Sequence, residues 1–175
     1  MFVSERVTIR PATSADEPAL GRMGAALMRL HHATDARRFI QVAEPERGYG
    51  RFLITQLNEP DSCLLVAEHA GGVVGYAYAC VEGMDWMNLR GPAGVLHDVY
   101  VEASARRLGA GRALLVATLK WIGTHDRTQV VLHTMTQNTA AQALFRSLGF
   151  RPTMLEMTRD ATDGSAASTE SESPQ

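Results

Sequence analysis

The sequence predicts an α/β domain built on a mixed sheet. Two β-rich runs flank a glycine pair in "SCLLVAEHAGGVVGYAYACVEG", which is a hairpin signature. From residue 95 onward, strand-like and helix-like segments alternate, as they do in β-α-β units with parallel strands. The chain has 175 residues and is 45% hydrophobic, enough for one packed core and short of two ordinary domains.

Each element has its own signal. Residues 6–12, "RVTIRPA", set Val7 and Ile9 against polar neighbours, the alternation of a half-buried strand. In "TSADEPALGRMGAALMRLHH", Ser14 followed by Glu17 fits a capping box, and Leu20, Met23, Leu27 and Leu30 recur at helical spacing. Pro18, Gly21 and Gly24 soften that helix without forbidding it. "DARRFIQVAEPERGYGRFLITQLNEPDS" reads as a second helical region, broken near Pro45 and ended by Pro60. After the hairpin, residues 84–94 form a loop and residues 95–103 a strand. A helix then begins near Gly109, with Leu114, Leu115, Thr118, Leu119 and Ile122 on its apolar face. "TQVVLHTM" is a strand, and "NTAAQALFRSLG" is a helix started by Asn138 and stopped by Gly149. "FRPTMLEMT" is expected as a last strand, giving the order β-α-α-β-β-β-α-β-α-β. The passages 95–135 and 128–158 are expected to be right-handed crossovers between parallel strands. Residues 1–160 make up the domain, and the small, polar, acidic residues 161–175 are expected to be disordered.

Charge and composition exclude several functions. The formal net charge is -2, and Asp163, Glu170 and Glu172 put -3 of it in the tail, leaving +1 for residues 1–160. A near-neutral body has no basic stripe to neutralise phosphates, so no nucleic-acid partner is expected. No apolar run approaches the ~18 residues of a membrane span, and "MFVSERVTIRPA" has no apolar leader core. A cytoplasmic protein without membrane contact is the expectation. Cys63 and Cys80 each lie in a strand-like run and read as small buried hydrophobes.

The stretch "RRLGAGRALL" (106–115) sets three arginines and two glycines at the mouth of a helix. The first turn of a helix carries unpartnered N–H groups and partial positive charge. Glycines at 109 and 111 open those amides to close approach, which makes a phosphate or pyrophosphate site. From this stretch alone, a tightly packed strand-to-helix turn stands level with that reading. A dinucleotide fingerprint lacks its third small residue, because Leu114 stands there. A P-loop lacks its Lys.

The surroundings carry more. Val101 to Gly111, as V-x-x-x-x-R-x-x-G-x-G, resembles motif A of the GNAT superfamily, the Gcn5-related N-acetyltransferases. Asn138-x-x-Ala141-x-x-Leu144-Phe145-x-x-x-Gly149-Phe150 resembles the same family's motif B. The resemblance spans residues 6 to about 158. It implies a GNAT-like single domain, with parallel strands 4 and 5 splayed apart and helices on both sides. It implies acetyl-CoA as cosubstrate. The pyrophosphate would lie on the amides of Arg107, Leu108, Gly109, Ala110, Gly111, Arg112 and Ala113, with Arg106 at the family's Gln/Arg position. The pantetheine arm would pair with Val99, Tyr100 and Val101, and Asn138 and Phe145 would line its thiol end. A main-chain N–H at Val99 or its neighbour would polarise the thioester carbonyl.

The proton chemistry is less directly marked. The family's motif-B tyrosine acid is replaced by Phe145, which has no proton to give. Some diamine acetyltransferases carry L-E-D where this chain has Leu96-His97-Asp98, so His97 replaces a Glu and Asp98 matches the Asp. A histidine titrates near neutrality and suits a base, although a packed, hydrogen-bonded histidine is the plainer reading. Strand alternation places Asp98 on the face opposite His97, to orient a partner, bind the amine or bond to backbone. His133, on the neighbouring strand, is a second candidate. For the acceptor, the helix end offers His31, His32 and Asp35, and the loop offers Asp85 and Trp86. Three or four converging metal ligands are not seen, so no metal is expected. These residues imply acetyl transfer to a primary amine of a small molecule or peptide by direct attack, with no acyl-enzyme. The alternatives are a non-catalytic acyl-CoA-binding module that senses CoA or associates with a partner, and a nucleotide-binding module. Family members are often homodimers, but no interface is visible in the sequence.

Overall fold

The protein's structure is a computed structural model that describes residues 6–161. Strand β1 (Thr8–Pro11) pairs antiparallel with β2 (Ser62–His69), and β2 pairs antiparallel with β3 (Gly72–Glu82). β3 pairs antiparallel with β4 (Ala93–Val101), and β4 pairs parallel with β5 (Val130–Leu132). The sheet order is therefore the sequence order, with one parallel pair at its end. The β2–β3 turn is made by Ala70 and Gly71, whose φ angles are 51° and 74°. Two left-handed residues in a two-residue loop match the twist of the flanking strands. The turn thus sits one residue before the expected glycine pair.

Helices cover both faces. On one face, α1 (Glu17–Thr34) and α2 (Pro45–Thr55) bury Leu20, Met23 and Leu53 against Leu64, Val66, Tyr76 and Tyr78. On the other, α3 (Ala110–Gly123) and α4 (Thr139–Ser147) bury Leu114, Leu115, Ile122 and Phe145 against Ala77, Ala79 and Leu96. The glycines of α1 are the contact with α2. A side chain at Gly21 would meet the Glu46 carbonyl, and one at Gly24 would meet the Tyr49 ring.

Several boundaries differ from the sequence expectation. The capping box at the first helix uses Thr13 and Asp16 rather than Ser14 and Glu17, because a 3-10 turn (Ser14–Asp16) precedes α1. Pro45 opens α2 at its first turn, where its missing N–H costs nothing, instead of breaking a longer helix. The expected last strand does not form. Pro152 removes a ladder donor and restrains Arg151, and adjacent Met154 and Leu155 break the alternation a one-sided strand needs. Residues 151–160 run unpaired, leaving Met154 and Met157 exposed, and Glu156 is held by Arg38. The second expected crossover therefore has no closing strand. Of the acidic tail, residues 162–175 lie outside the described residues. Among the described residues, no helix is long and apolar enough to cross a membrane.

Candidate functional site

β4 and β5 pair only from Gly94 to Leu96, against Val130 to Leu132. Beyond that point β4 is paired to β3 alone, with Ala77 opposite Val99, Tyr76 opposite Tyr100 and Gly75 opposite Val101. Val99, Tyr100 and Val101 therefore border a cleft. A short 3-10 turn (Ala103–Ala105) leads from its end to α3. Arg107 and Gly109 both take left-handed φ, 66° and 85°, and Gly109 caps the helix. Left-handed residues in a tight turn aim successive amides into one concavity. The Ala113 N–H bonds to the Gly109 carbonyl at 2.9 Å, so the amides of Ala110, Gly111 and Arg112 precede the first helical bond. A side chain at Gly109 would meet open space. Arg106 donates to the Val101 carbonyl (3.3 Å), and Arg112 donates to Ser147 (2.9 Å). Leu108, half exposed, adds no acceptor. A set of donors with room before it fits a pyrophosphate.

The candidate acid–base groups lie on the α1–α2 face of β4. Tyr78 is opposite Asp98 and Ala79 is opposite Leu96, so His97 is the extra residue of a β-bulge. A bulge breaks strict alternation. His97 and Asp98 consequently share one face, contrary to the expectation from alternation. Asp98 Oδ2 accepts hydrogen bonds from the Tyr49 hydroxyl (2.5 Å) and the Tyr76 hydroxyl (3.0 Å). Burial, then the Asp98 charge, raises both tyrosines well above their usual range. His97 stacks on Tyr78 with ring centroids 5.2 Å apart, and its Nε2 lies 3.2 Å from Glu82 Oε1. The other Glu82 oxygen accepts from Arg90 at 2.7 Å.

Cys80 completes this group. Its sulfur lies 3.1 Å from the Tyr78 hydroxyl and 3.3 Å from that of Ser62. Burial works against its thiolate, but the interaction with His97 and the hydrogen bonds with Ser62 and Tyr78 outweigh burial and lower the thiol below its usual range. The interaction with Cys80 raises His97 above the usual histidine value, against burial, with the charges of Cys80, Glu82 and Asp98 adding to it. Cys63 behaves as the inert buried thiol expected of both cysteines, pushed up to about 11 by burial. Tyr49, Tyr76 and Glu82 are absent from the sequence expectation, and Cys80 is in it only as a small buried hydrophobe. Period-two spacing of Tyr76, Tyr78, Cys80 and Glu82 on a predicted hairpin strand is the signal that places them on one face.

The Acetyltransferase (GNAT) family matches residues 27–150 of this sequence. The chain belongs to that family. GNAT acetyltransferases use acetyl-CoA, and the splayed parallel strands with an open helix mouth between them are this family's architecture in the chain. Among relatives, a mycothiol acetyltransferase of Thermobispora bispora is 39% identical over 89 residues, 49% of this chain and 28% of its own length. An N-acetyltransferase of Bacillus subtilis, YhfO, whose function is uncharacterised, is 28% identical over 82% of this chain and 89% of its own. Human N-acetyltransferase 8 is 34% identical over 97 residues, so the chain spans well under half the length of two of these three relatives. Among solved structures, a tetramutant of the BH1408 protein of Bacillus halodurans has a TM-score of 0.76 at 20% identity, covering 87% of this chain and 99% of its own. Aminoglycoside N-acetyltransferase AAC(6')-Iy in complex with CoA has a TM-score of 0.66 at 17% identity, covering 90% and 96%. These two likenesses are of fold.

Within the GNAT frame, the remaining candidates are placed as follows. Asn138 caps α4, its side chain accepting from the Ala141 N–H (3.2 Å). Phe145 is buried in the core beside Phe150. His31 donates to the Leu27 carbonyl and His32 to the Phe39 carbonyl, each at 2.8 Å, while Asp35 accepts from the main chain of Arg37 and Arg38. These three close the end of α1. Among the described residues, no hydrogen bond or ion pair joins them to His97 or Asp98, and no metal-holding group forms. Asp85 shapes its own loop, accepting from the N–H of Met87 and Asn88 at 3.0 Å each, and Trp86 stands exposed beside it. His133 follows β5, and its charge helps lower the Glu156 carboxyl after the larger effects of Arg38.

Proposed function

We propose that the chain transfers an acetyl group from acetyl-CoA to a primary amine of a small molecule or peptide, by direct attack. One observation carries the reading: the cleft where β4 leaves β5 runs from the arginine-lined mouth of α3 to the bulge at His97. The amides from Arg107 to Arg112 hold the pyrophosphate, that of the expected Ala113 being taken by the Gly109 carbonyl, and Arg106 and Arg112 add charge. The arm follows Val99 to Val101 toward Asn138. The Val99 main-chain N–H polarises the thioester carbonyl, where developing negative charge gains most from a fixed donor. His97 takes the proton of the attacking amine. Asp98, held by two tyrosine hydroxyls, fixes the strand and its charge beside His97. The departing CoA thiolate is a tolerable leaving group, so the loss of a phenol at Phe145 does not block the step.

Thiol release with acetyl-CoA and a panel of amines tests this. Release that depends on amine and on His97 supports transfer. Acetyl-CoA binding without release favours the second reading, a non-catalytic CoA-binding module, which the buried Phe145 at the family's tyrosine position keeps in view.

A further inference from the structure

Four rings run side by side on the α1–α2 face, starting at the proposed base. His97 stacks on Tyr78 (5.2 Å between centroids), Tyr78 meets Phe52 at right angles (5.9 Å), and Phe52 meets Tyr49 likewise (6.1 Å). Phe52 is 48% exposed and the His97 side chain 40%, while Tyr78 between them is buried, so Phe52 and His97 are the rings that offer surface to solvent. Three carboxylates around its His97 end, Asp98, Glu82 and, through Arg90, Asp85, already have partners. Asp98 holds two tyrosine hydroxyls, Glu82 holds Arg90 and faces His97, and Asp85 holds its own loop. A polycation entering here loses water from several ammonium groups and finds no unpaired carboxylate among these three to replace it.

A single amine on an aromatic body matches the wall better. Its ring packs on Phe52 in an offset or edge-on arrangement, and its nitrogen reaches His97 over the ring faces. The rim agrees in character: beyond Glu82, the loop tip exposes Trp86, Met87 and Leu89. We infer that the acceptor is an arylalkyl monoamine, gripped by the exposed Phe52 ring on the His97 side of the sheet, rather than an aminoglycoside or a polyamine. This rests on the reading that the acceptor is deprotonated at His97.

Steady-state thiol release with 2-phenylethylamine, spermidine and kanamycin separates the cases. The expected kcat/KM for 2-phenylethylamine exceeds the other two by roughly tenfold or more, about one good aromatic contact. Phe52→Ala removes most of that preference and leaves the KM for acetyl-CoA unchanged, while Phe52→Tyr, which keeps the ring, retains it. Phe52→Glu moves the preference toward spermidine. Thermal melting checks that each variant is folded. Spermidine or kanamycin as the best wild-type acceptor overturns the inference and leaves the transferase reading standing, as does an unchanged preference in a folded Phe52→Ala protein. Acetyl-CoA binding with no release for any amine overturns the transferase reading, and this inference with it.

Discussion

His97 owes its position to one inserted residue in β4. Without the bulge it would point away from Asp98, and Asp98 would face α3 instead of the tyrosines. As the proposed base, His97 acts only when neutral. His97→Ala should lower kcat/KM near neutral pH by about 10²–10⁴-fold and abolish the acidic limb of its pH profile, read by thiol release. An unchanged profile removes His97 from the proton path. Cys80 makes a sharper test. The interaction with its thiol is the largest cause raising His97, so the neutral base appears only at higher pH than an ordinary histidine allows. Removing the thiol lowers the His97 value, and Cys80→Ala should move the acidic limb to lower pH with the KM for acetyl-CoA unaltered. A limb that stays in place, or moves to higher pH, refutes this coupling.

At the scale of elements, two glycines decide what the helices can reach. Gly24 leaves room for the Tyr49 ring to pass α1, so its hydroxyl reaches Asp98 across the helix pair. Gly24→Ala should overpack this contact, costing about 1–3 kcal/mol in a denaturant melt and lowering kcat/KM as Tyr49 is displaced. Tyr49→Phe keeps the packing and loses only a hydrogen bond to a carboxylate, about 1.5–3 kcal/mol. If Gly24→Ala is as stable as the wild type, the glycine is not there for Tyr49. Gly109 serves the other end of the cleft. A glutamate there faces open space but brings negative charge and a strained left-handed backbone, about 1–3 kcal/mol. Gly109→Glu should abolish acetyl-CoA binding by calorimetry while circular dichroism stays native, and binding that survives defeats the anion-cradle reading. Periodicity identified the helix that carries Gly24 but read the glycine as a weakness. Propensity is a local property, and the need for a bare surface against Tyr49 comes from α2, more than twenty residues on.

Across the whole molecule, the legible parts are those whose signal is local. The hairpin, α3, α4 with its Asn138 cap and Gly149 stop, and the donor-side glycines all announce themselves within a few residues. The Glu82–His97–Cys80 group does not, because it depends on the register of β3 against β4 and on a bulge that alternation cannot foresee. The missing last strand is of another kind: Pro152 and the adjacent Met154 and Leu155 argue against it locally, and the apolar composition of the stretch outweighed them in the reading. The anchor at the other edge of the sheet shows what such long-range pairing contributes to stability. Arg10 on β1 donates to both carboxylate oxygens of Asp16, at 2.8 and 2.9 Å, and to Glu68 on β2 at 2.7 Å, so one guanidinium joins two strands to the start of α1. Asp16 is 7% exposed. The Arg10 hydrogen bonds, against burial and with help from Thr13, hold its carboxyl down at about 2, below the model-peptide value of 3.8. A depressed carboxylate contributes stability that is fully present above the unfolded value and is lost as pH falls through the folded one. The shift corresponds to about 2 kcal/mol, present above about pH 4 and fading toward pH 2. Asp16→Asn should therefore be less stable than the wild type by about 2 kcal/mol in urea melts at pH 7, and the gap should narrow between pH 4 and pH 2. A gap that stays constant down to pH 2 would mean that the ionised carboxylate is not what holds β1 to the helix.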